Sequence, residues 1–151
     1  MANAANRAIN RPLSPHLQIW RWGPHMAVSI LHRVSGVILS IGGLGVLLWW
    51  LGALAGGPDA YATFTGWMWA DLAHLDWHGG AIVASLVKIV LKLTLIAISW
   101  AFFEHTLSGV RHFVLDTGAG YDLDTNKAWS VAILVLGVVL TAAFWALLLL
   151  K

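Results

Sequence analysis

Ser29-Ile30-Leu31-His32-Arg33-Val34-Ser35-Gly36 opens into an apolar run, Val34 to Leu54, that carries no charge. A charged side chain in a lipid-spanning helix is costly, roughly 2.5–3.5 kcal/mol for one placed centrally. Such residues face a bundle interior, find a partner, and mark ligand or ion paths. At about 100° per residue, Ser29, His32, Arg33 and Gly36 share one helix face. That face offers a hydroxyl, an imidazole, a guanidinium fork and a gap where something flat can approach. It reads as half of a pocket for an anionic or carbonyl-bearing ligand near a membrane boundary. The plainer alternative is an interfacial anchor, with Arg33 snorkelling and Ser29 bonding its own backbone. The clustering on one face favours the pocket.

Composition supports the membrane setting. Of the 151 residues, 59% are hydrophobic and 11% charged, against about 25% charged in a soluble domain. Ten tryptophans fit a chain with two membrane–water boundaries. There is no cysteine, which excludes an iron–sulfur cluster, a disulfide and a thiolate-ligated haem held by this chain. The seven histidines remain as soft ligands. A net charge of +2 gives no support for nucleic-acid binding.

The pattern predicts an all-α membrane protein with a polar N-terminal arm, residues 1–24, and a three-helix transmembrane domain, residues 25–151. The arm shows no apolar signal-peptide core and reads as retained in the cytoplasm. Arg11-Pro12-Leu13-Ser14-Pro15-His16 favours extended geometry. The spans are expected at about 25–55, 81–115 and 128–150, since about 20 apolar residues cross a ~30 Å hydrocarbon core. Gly42, Gly43 and Gly45, and the Gly52/Gly56 pair, predict close helix packing. The 56–80 loop, rich in Trp, Asp and His, reads as a short amphipathic surface segment. His74, Asp76 and His78 read as surface polar residues rather than a metal site, because no compact ligand geometry is apparent. Arg7, Arg11, Arg21, Arg111 and Lys127 flank one side of the bilayer. The first loop carries acids, so the N-terminus and second loop are expected inside. Lys88 and Lys92, one turn apart near the outer side, run against that bias.

The second span ends in Glu104-His105-Thr106-Leu107-Ser108-Gly109-Val110-Arg111-His112, followed by Asp116. His105, Gly109, His112 and Asp116 fall on one face, with Arg111 pointing elsewhere. Helix one starts at the boundary to which helix two returns. Ser29, His32 and Arg33 therefore lie level with His112 and Asp116. His105 lies deeper, roughly 10–15 Å from the end of its helix at 1.5 Å per residue. A lone helical histidine is more often a hydrogen-bonded structural residue, but one beside small residues also suits a haem iron. Gly109 leaves room for a flat macrocycle, and the shared level with His32, Arg33 and His112 brings the two readings to about equal weight.

These two stretches, Ser29–Gly36 and His105–His112 with Asp116, resemble the signature stretches of the succinate dehydrogenase cytochrome b membrane-anchor subunit. The arm Arg11-Pro12-Leu13-Ser14-Pro15-His16-Leu17 resembles that of mitochondria and related bacteria. The resemblance implies an electron-transfer anchor of succinate:quinone oxidoreductase (complex II) in a bacterial cytoplasmic membrane. It implies a haem b sandwiched with a second three-helix anchor subunit, which supplies the other axial ligand. His105 matches the iron ligand of this chain. Ser29, Ile30 and Arg33 match the quinone site. His32, Arg33, Gly109 and His112 fall in the haem pocket, where propionates are held. The implied partners are an iron–sulfur subunit, a flavoprotein subunit, quinone and lipid. Two alternatives keep the same fold: a haem-free structural anchor and a fumarate reductase anchor. A channel or transporter would need polar residues through the whole bilayer, and the outer halves of helices one and three lack them.

Overall fold

The structure, a computed structural model, describes residues 14, 15 and 19–150. The expectations for Arg7, Arg11, most of the arm and Lys151 lie outside them. Gly23 is extended at φ −124° and hands over to Pro24, whose fixed φ suits a first helical position. Helix α1 (Pro24–Ile38) runs through a π-helical turn, Leu39–Gly43, into α2 (Leu44–Ala55). Together they form the first span, Pro24–Ala55. The π turn was not anticipated. It sits at the glycine-bearing segment Leu39-Ser40-Ile41-Gly42-Gly43, where Ile98 of the second span comes close. A Cβ on Gly42 would stand 3.5 Å from Ile98 Cδ1. The expected close packing thus holds at Gly42. At Gly45 and Gly52 an added Cβ would meet nothing within 4 Å, while at Gly56 it would stand 2.9 Å from Ala60 at the turn. The Gly52/Gly56 spacing is therefore a feature of the helix end and not a contact between spans.

Gly57, at φ 90°, turns the chain into α3 (Pro58–Met68). Phe64 and Met68 of α3 bury against Ala53, with Val46, Leu91 and Leu95 around them. The amphipathic loop segment thus exists and caps the end of the first two spans. A 3-10 turn, Leu72–His74, follows, capped by Asp71, whose carboxylate accepts from Ala73 N–H at 2.9 Å. Ser85 Oγ donates to the Asp76 carbonyl at 2.7 Å and ties this loop to the next helix.

Helix α4 (Ala81–Asp116) is 36 residues long, about 54 Å at 1.5 Å per residue, so it overruns a ~30 Å core. It closes on Gly118 at φ 84°, whose N–H reaches the Leu115 carbonyl at 2.9 Å. Helix α5 (Leu123–Leu149) starts five residues before the expected 128. Apolarity marked the lipid-facing start, but the helix begins at its cap. Asp122 accepts from Thr125 N–H at 3.3 Å and adds a solvated polar first turn.

The three spans Pro24–Ala55, Ala81–Asp116 and Leu123–Leu149 are long and apolar enough to cross a membrane, and no strand occurs among the described residues. Helices α1, α4 and α5 pack on one another. Their interior is polar and small: Ser35, Glu104, Ser108 and Ser130 are fully buried, with Gly137 and Thr141 beside them. Leucine and valine face outward along α2, α4 and α5. This inversion suits lipid, where apolar surface gains nothing by turning inward and small residues let backbones approach. Glu104 faces Gly137 of α5, where a Cβ would stand 3.1 Å from Glu104 Oε2 and 3.7 Å from its Cα. Gly137→Val is therefore expected to force α4 and α5 apart. The cost should be on the order of 1–3 kcal/mol. It would be read as a lowered midpoint in thermal unfolding of the detergent-solubilised protein. An unchanged midpoint would contradict the contact.

Candidate functional site

The histidines of the two signature stretches converge where α1 crosses α4. His32 and His105 stack with ring centroids 4.1 Å apart and planes 21° from parallel. His112 leans on the other side of the group, 5.1 Å from His32 at 40°. The seven-residue spacing of His105 and His112 is two helical turns, so one α4 face presents both to α1. Gly36 makes the approach possible. A Cβ there would stand 3.1 Å from His105 Cε1.

One imidazole is oriented by its hydrogen bonds. His105 Nδ1 lies 3.0 Å from the backbone carbonyl of His32. A carbonyl only accepts, so Nδ1 carries the proton. Ser35 Oγ donates to the same carbonyl at 2.9 Å and lies 3.2 Å from His105 Nδ1. With its own proton spent on the carbonyl, Ser35 Oγ is free to accept from Nδ1 as well. The neutral ring is then the Nδ1–H tautomer, and its lone pair lies on Nε2. Among the described residues nothing hydrogen-bonds Nε2. A carbonyl fixing Nδ1–H while Nε2 stays available is how proteins orient metal-ligating histidines.

Beside this cluster is a polar cavity of about 290 Å³, lined by Ser29, His25, Arg111, His112, Tyr121 and Asn126 among others. Arg111 is nearly buried, 7% exposed, and donates to Asn126 Oδ1 at 2.7 Å. This corrects the expectation that it points away. The early start of α5 puts Asn126 on a helix turn facing α4 and gives the guanidinium a partner. No carboxylate pairs with Arg111 among the described residues. Ser29 makes no side-chain hydrogen bond among the described residues. Ser40, Ser99, Thr94 and Thr106 all bond a carbonyl one turn back. The Ser29 hydroxyl stands free at the cavity.

The remaining expected site residues are placed as follows. Ile30 and Arg33 are exposed on the face of α1 that the chain leaves uncovered, and Arg33 does not line the Ser29 cavity. Gly109 is half-buried, and a Cβ there would meet nothing within 4 Å. Asp116 is exposed at the helix end. Ser35 and Arg111 were missed. Ser35 had a signal in its position one turn after His32, while Arg111 became legible only through the Asp122 cap. In the far loop His74 Nδ1 pairs with Asp71 Oδ2 at 2.6 Å and His78 Nδ1 with Asp76 Oδ1 at 3.0 Å, as separate exposed pairs.

Comparison with known proteins agrees with the two signature stretches. Residues 7–144 match the family described as succinate dehydrogenase/fumarate reductase transmembrane subunit. The succinate dehydrogenase cytochrome b556 subunit of Paracoccus denitrificans is 33% identical over 131 residues, covering 87% of this chain and 86% of that protein. The mitochondrial succinate dehydrogenase cytochrome b560 subunit of Mus musculus is 35% identical over 146 residues, covering 94% and 74%. Its Bos taurus counterpart is 33% identical over 133 residues, covering 88% and 69%. The chain is a multi-pass membrane protein and belongs to the succinate dehydrogenase/fumarate reductase transmembrane subunit family.

Proposed function

We propose that this chain is the haem-binding, quinone-reducing membrane anchor of a succinate:quinone oxidoreductase. It works beside a second anchor subunit, an iron–sulfur subunit and a flavoprotein. The observation that carries the proposal is the His105 imidazole, held through Nδ1 by the His32 carbonyl with Nε2 left unbonded. The residues present fit a haem b. His105 Nε2 would bind the iron, and Gly109 leaves space beside α4. Arg33 and the buried Arg111 would supply positive charge for propionates, and His32 and His112 would offer them hydrogen bonds. A haem bound there supplies a one-electron redox centre within the membrane. Residues 1–24 form the arm and 25–151 the membrane domain. The N-terminus lies on the cytoplasmic side of a bacterial inner membrane, set by the arginines of the arm and the second-loop side.

Quinone takes two electrons from the iron–sulfur side and two protons from the same aqueous boundary, and becomes quinol. Its oxygens gain negative charge on the way. The unbonded Ser29 hydroxyl donates to a carbonyl oxygen, and the Arg33 guanidinium offsets the developing charge. Low dielectric strengthens both interactions. Ile30 adds an apolar wall. His112, exposed at the boundary and lining the Ser29 cavity, is placed to pass protons inward. The face carrying Ile30 and Arg33 is open in this chain, which is where the partner subunits close the site.

Two outcomes test this reading. Replacing His105 by Leu is expected to abolish the b-type reduced-minus-oxidised spectrum of the purified complex, and Gly36→Val to weaken haem retention by displacing the same ring. A spectrum unchanged in His105→Leu would favour the haem-free anchor. Ser29→Ala should slow quinone reduction about tenfold or more, the loss expected for one hydrogen bond to a charged oxygen. Arg33→Leu should do at least as much. Dye reduction at the flavin should persist in both variants, and equal losses in the two assays would count against a quinone role.

A further inference from the structure

A second cavity, largely apolar but carrying two opposite charges, lies at the opposite membrane boundary, remote from the histidines. Lys92 points its ammonium over two indoles, 5.2 Å from the Trp69 ring and 5.7 Å from that of Trp145. Lys88, one turn earlier, sits 5.8 Å over Trp67. Trp69 follows α3 and Trp145 lies one turn before the end of α5, so three segments meet here. Tryptophans at this level mark an interfacial belt. The contacts also explain two lysines that run against the charge bias of the first loop. Their cations rest on ring faces, which suits an ammonium leaving water.

Beside Lys92 is a cavity of about 500 Å³. Its lining is chemically mixed. Asp71 and Lys92 bring opposite charges, Trp69 and Trp145 lie beside Lys92, and Leu72, Ala73, Ile96 and Leu149 make an apolar wall. Asp71 and Lys92 carry opposite charges, yet no salt bridge joins them among the described residues. Each Asp71 oxygen has one partner, Ala73 N–H at 2.9 Å and His74 Nδ1 at 2.6 Å, and keeps lone pairs free. Those two bonds, the Ala73 N–H first, hold the Asp71 carboxyl below its ordinary range, with Lys92 adding to the effect. The carboxylate is thus fixed as an anion in a known direction, with the cation standing apart from it across the cavity.

We propose that this cavity binds a zwitterionic glycerophospholipid with a primary-amine headgroup. Its phosphate lies at Lys92, its ammonium at Asp71, and its acyl chain along Ile96 and Leu149. Charge complementarity carries the choice of occupant. An anionic headgroup satisfies Lys92 but meets the Asp71 carboxylate. A choline headgroup has no N–H to give that carboxylate, and Lys92 already covers the indole faces it would use. The apolar wall favours a lipid over a soluble phosphoethanolamine.

The test uses the intact complex, purified in mild detergent and exchanged against phosphatidylethanolamine, phosphatidylglycerol or phosphatidylcholine vesicles. Retained lipid is then counted by extraction and mass spectrometry. The wild type should retain phosphatidylethanolamine preferentially. Lys92→Gln should lower that retention about tenfold, and Lys92→Arg should keep it. Asp71→Asn, which still accepts the Ala73 N–H, should shift the preference toward phosphatidylglycerol. Glycerophosphoethanolamine should not displace the lipid. Equal retention of the three lipids, no change in Lys92→Gln, an Asp71→Asn variant that still excludes phosphatidylglycerol, or displacement by the soluble headgroup would each overturn the assignment. Co-purification of this chain with the flavoprotein and iron–sulfur subunits, checked for every variant, reports that the complex is assembled.

Discussion

The structure turns on the hydrogen bond from His105 Nδ1–H to the backbone carbonyl of His32 at 3.0 Å. It joins the first span to the second through a backbone group that can only accept, which fixes the proton on Nδ1. In a low-dielectric interior such a bond is strong and its loss expensive. Ser35, donating to the same carbonyl, and Gly36, leaving room for the ring edge, serve the same end from the next turn of α1. The stretch Ser29–Gly36 is therefore best understood as a socket for the imidazole of another helix. The stacked His32 and the tilted His112 fill the space around it.

The remainder of the bundle supports that socket by an interior suited to lipid. The buried positions of α4 and α5 include Glu104, Ser108, Ser130, Gly137 and Thr141, with Ala101 and Ile133 among them. Ser130 and Thr141 bond carbonyls of their own helix, those of Asn126 and Gly137, while Ser108 donates to the Glu104 carboxylate at 3.3 Å. The surface they make is thin, so the backbones approach closely. Glu104 is the exception in size. It lies adjacent to His105 in the chain but on the α5-facing side of α4, so consecutive residues fix the helix against α5 and present the imidazole to α1. The two ends of the bundle then carry different chemistry. Histidines, Arg111 and the free Ser29 hydroxyl occupy one boundary. Tryptophans and two lysines occupy the other, held in place by the short α3.

Much of this was legible in residue order. Long, mostly apolar runs bounded by Pro24, Gly56, Gly80 and Gly118 located the spans, because lipid demands length and apolarity and little else. The helical period alone brought Ser29, His32, Gly36, His105 and His112 to facing surfaces. What escaped depended on single contacts. The start of α5 followed the Asp122 cap and not the edge of apolarity, and with it went Asn126 and the burial of Arg111. Ser35 looked like an ordinary helical serine until the carbonyl of His32 was seen to be shared. The π turn at Leu39–Gly43 has no periodic signature, and Gly45 and Gly52 resembled packing positions that this chain does not use. Arg33 and Ile30 stay on a face of α1 that this chain leaves uncovered.

The most direct test of the central claim is an experimental map of the whole complex, resolved well enough to distinguish the two nitrogens of the His105 ring. The account predicts that Nδ1 faces the His32 carbonyl and that Nε2 is bonded to a porphyrin iron. A ring turned toward acyl chains, or one whose Nδ1 meets the metal while the His32 carbonyl is left without it, would contradict the account.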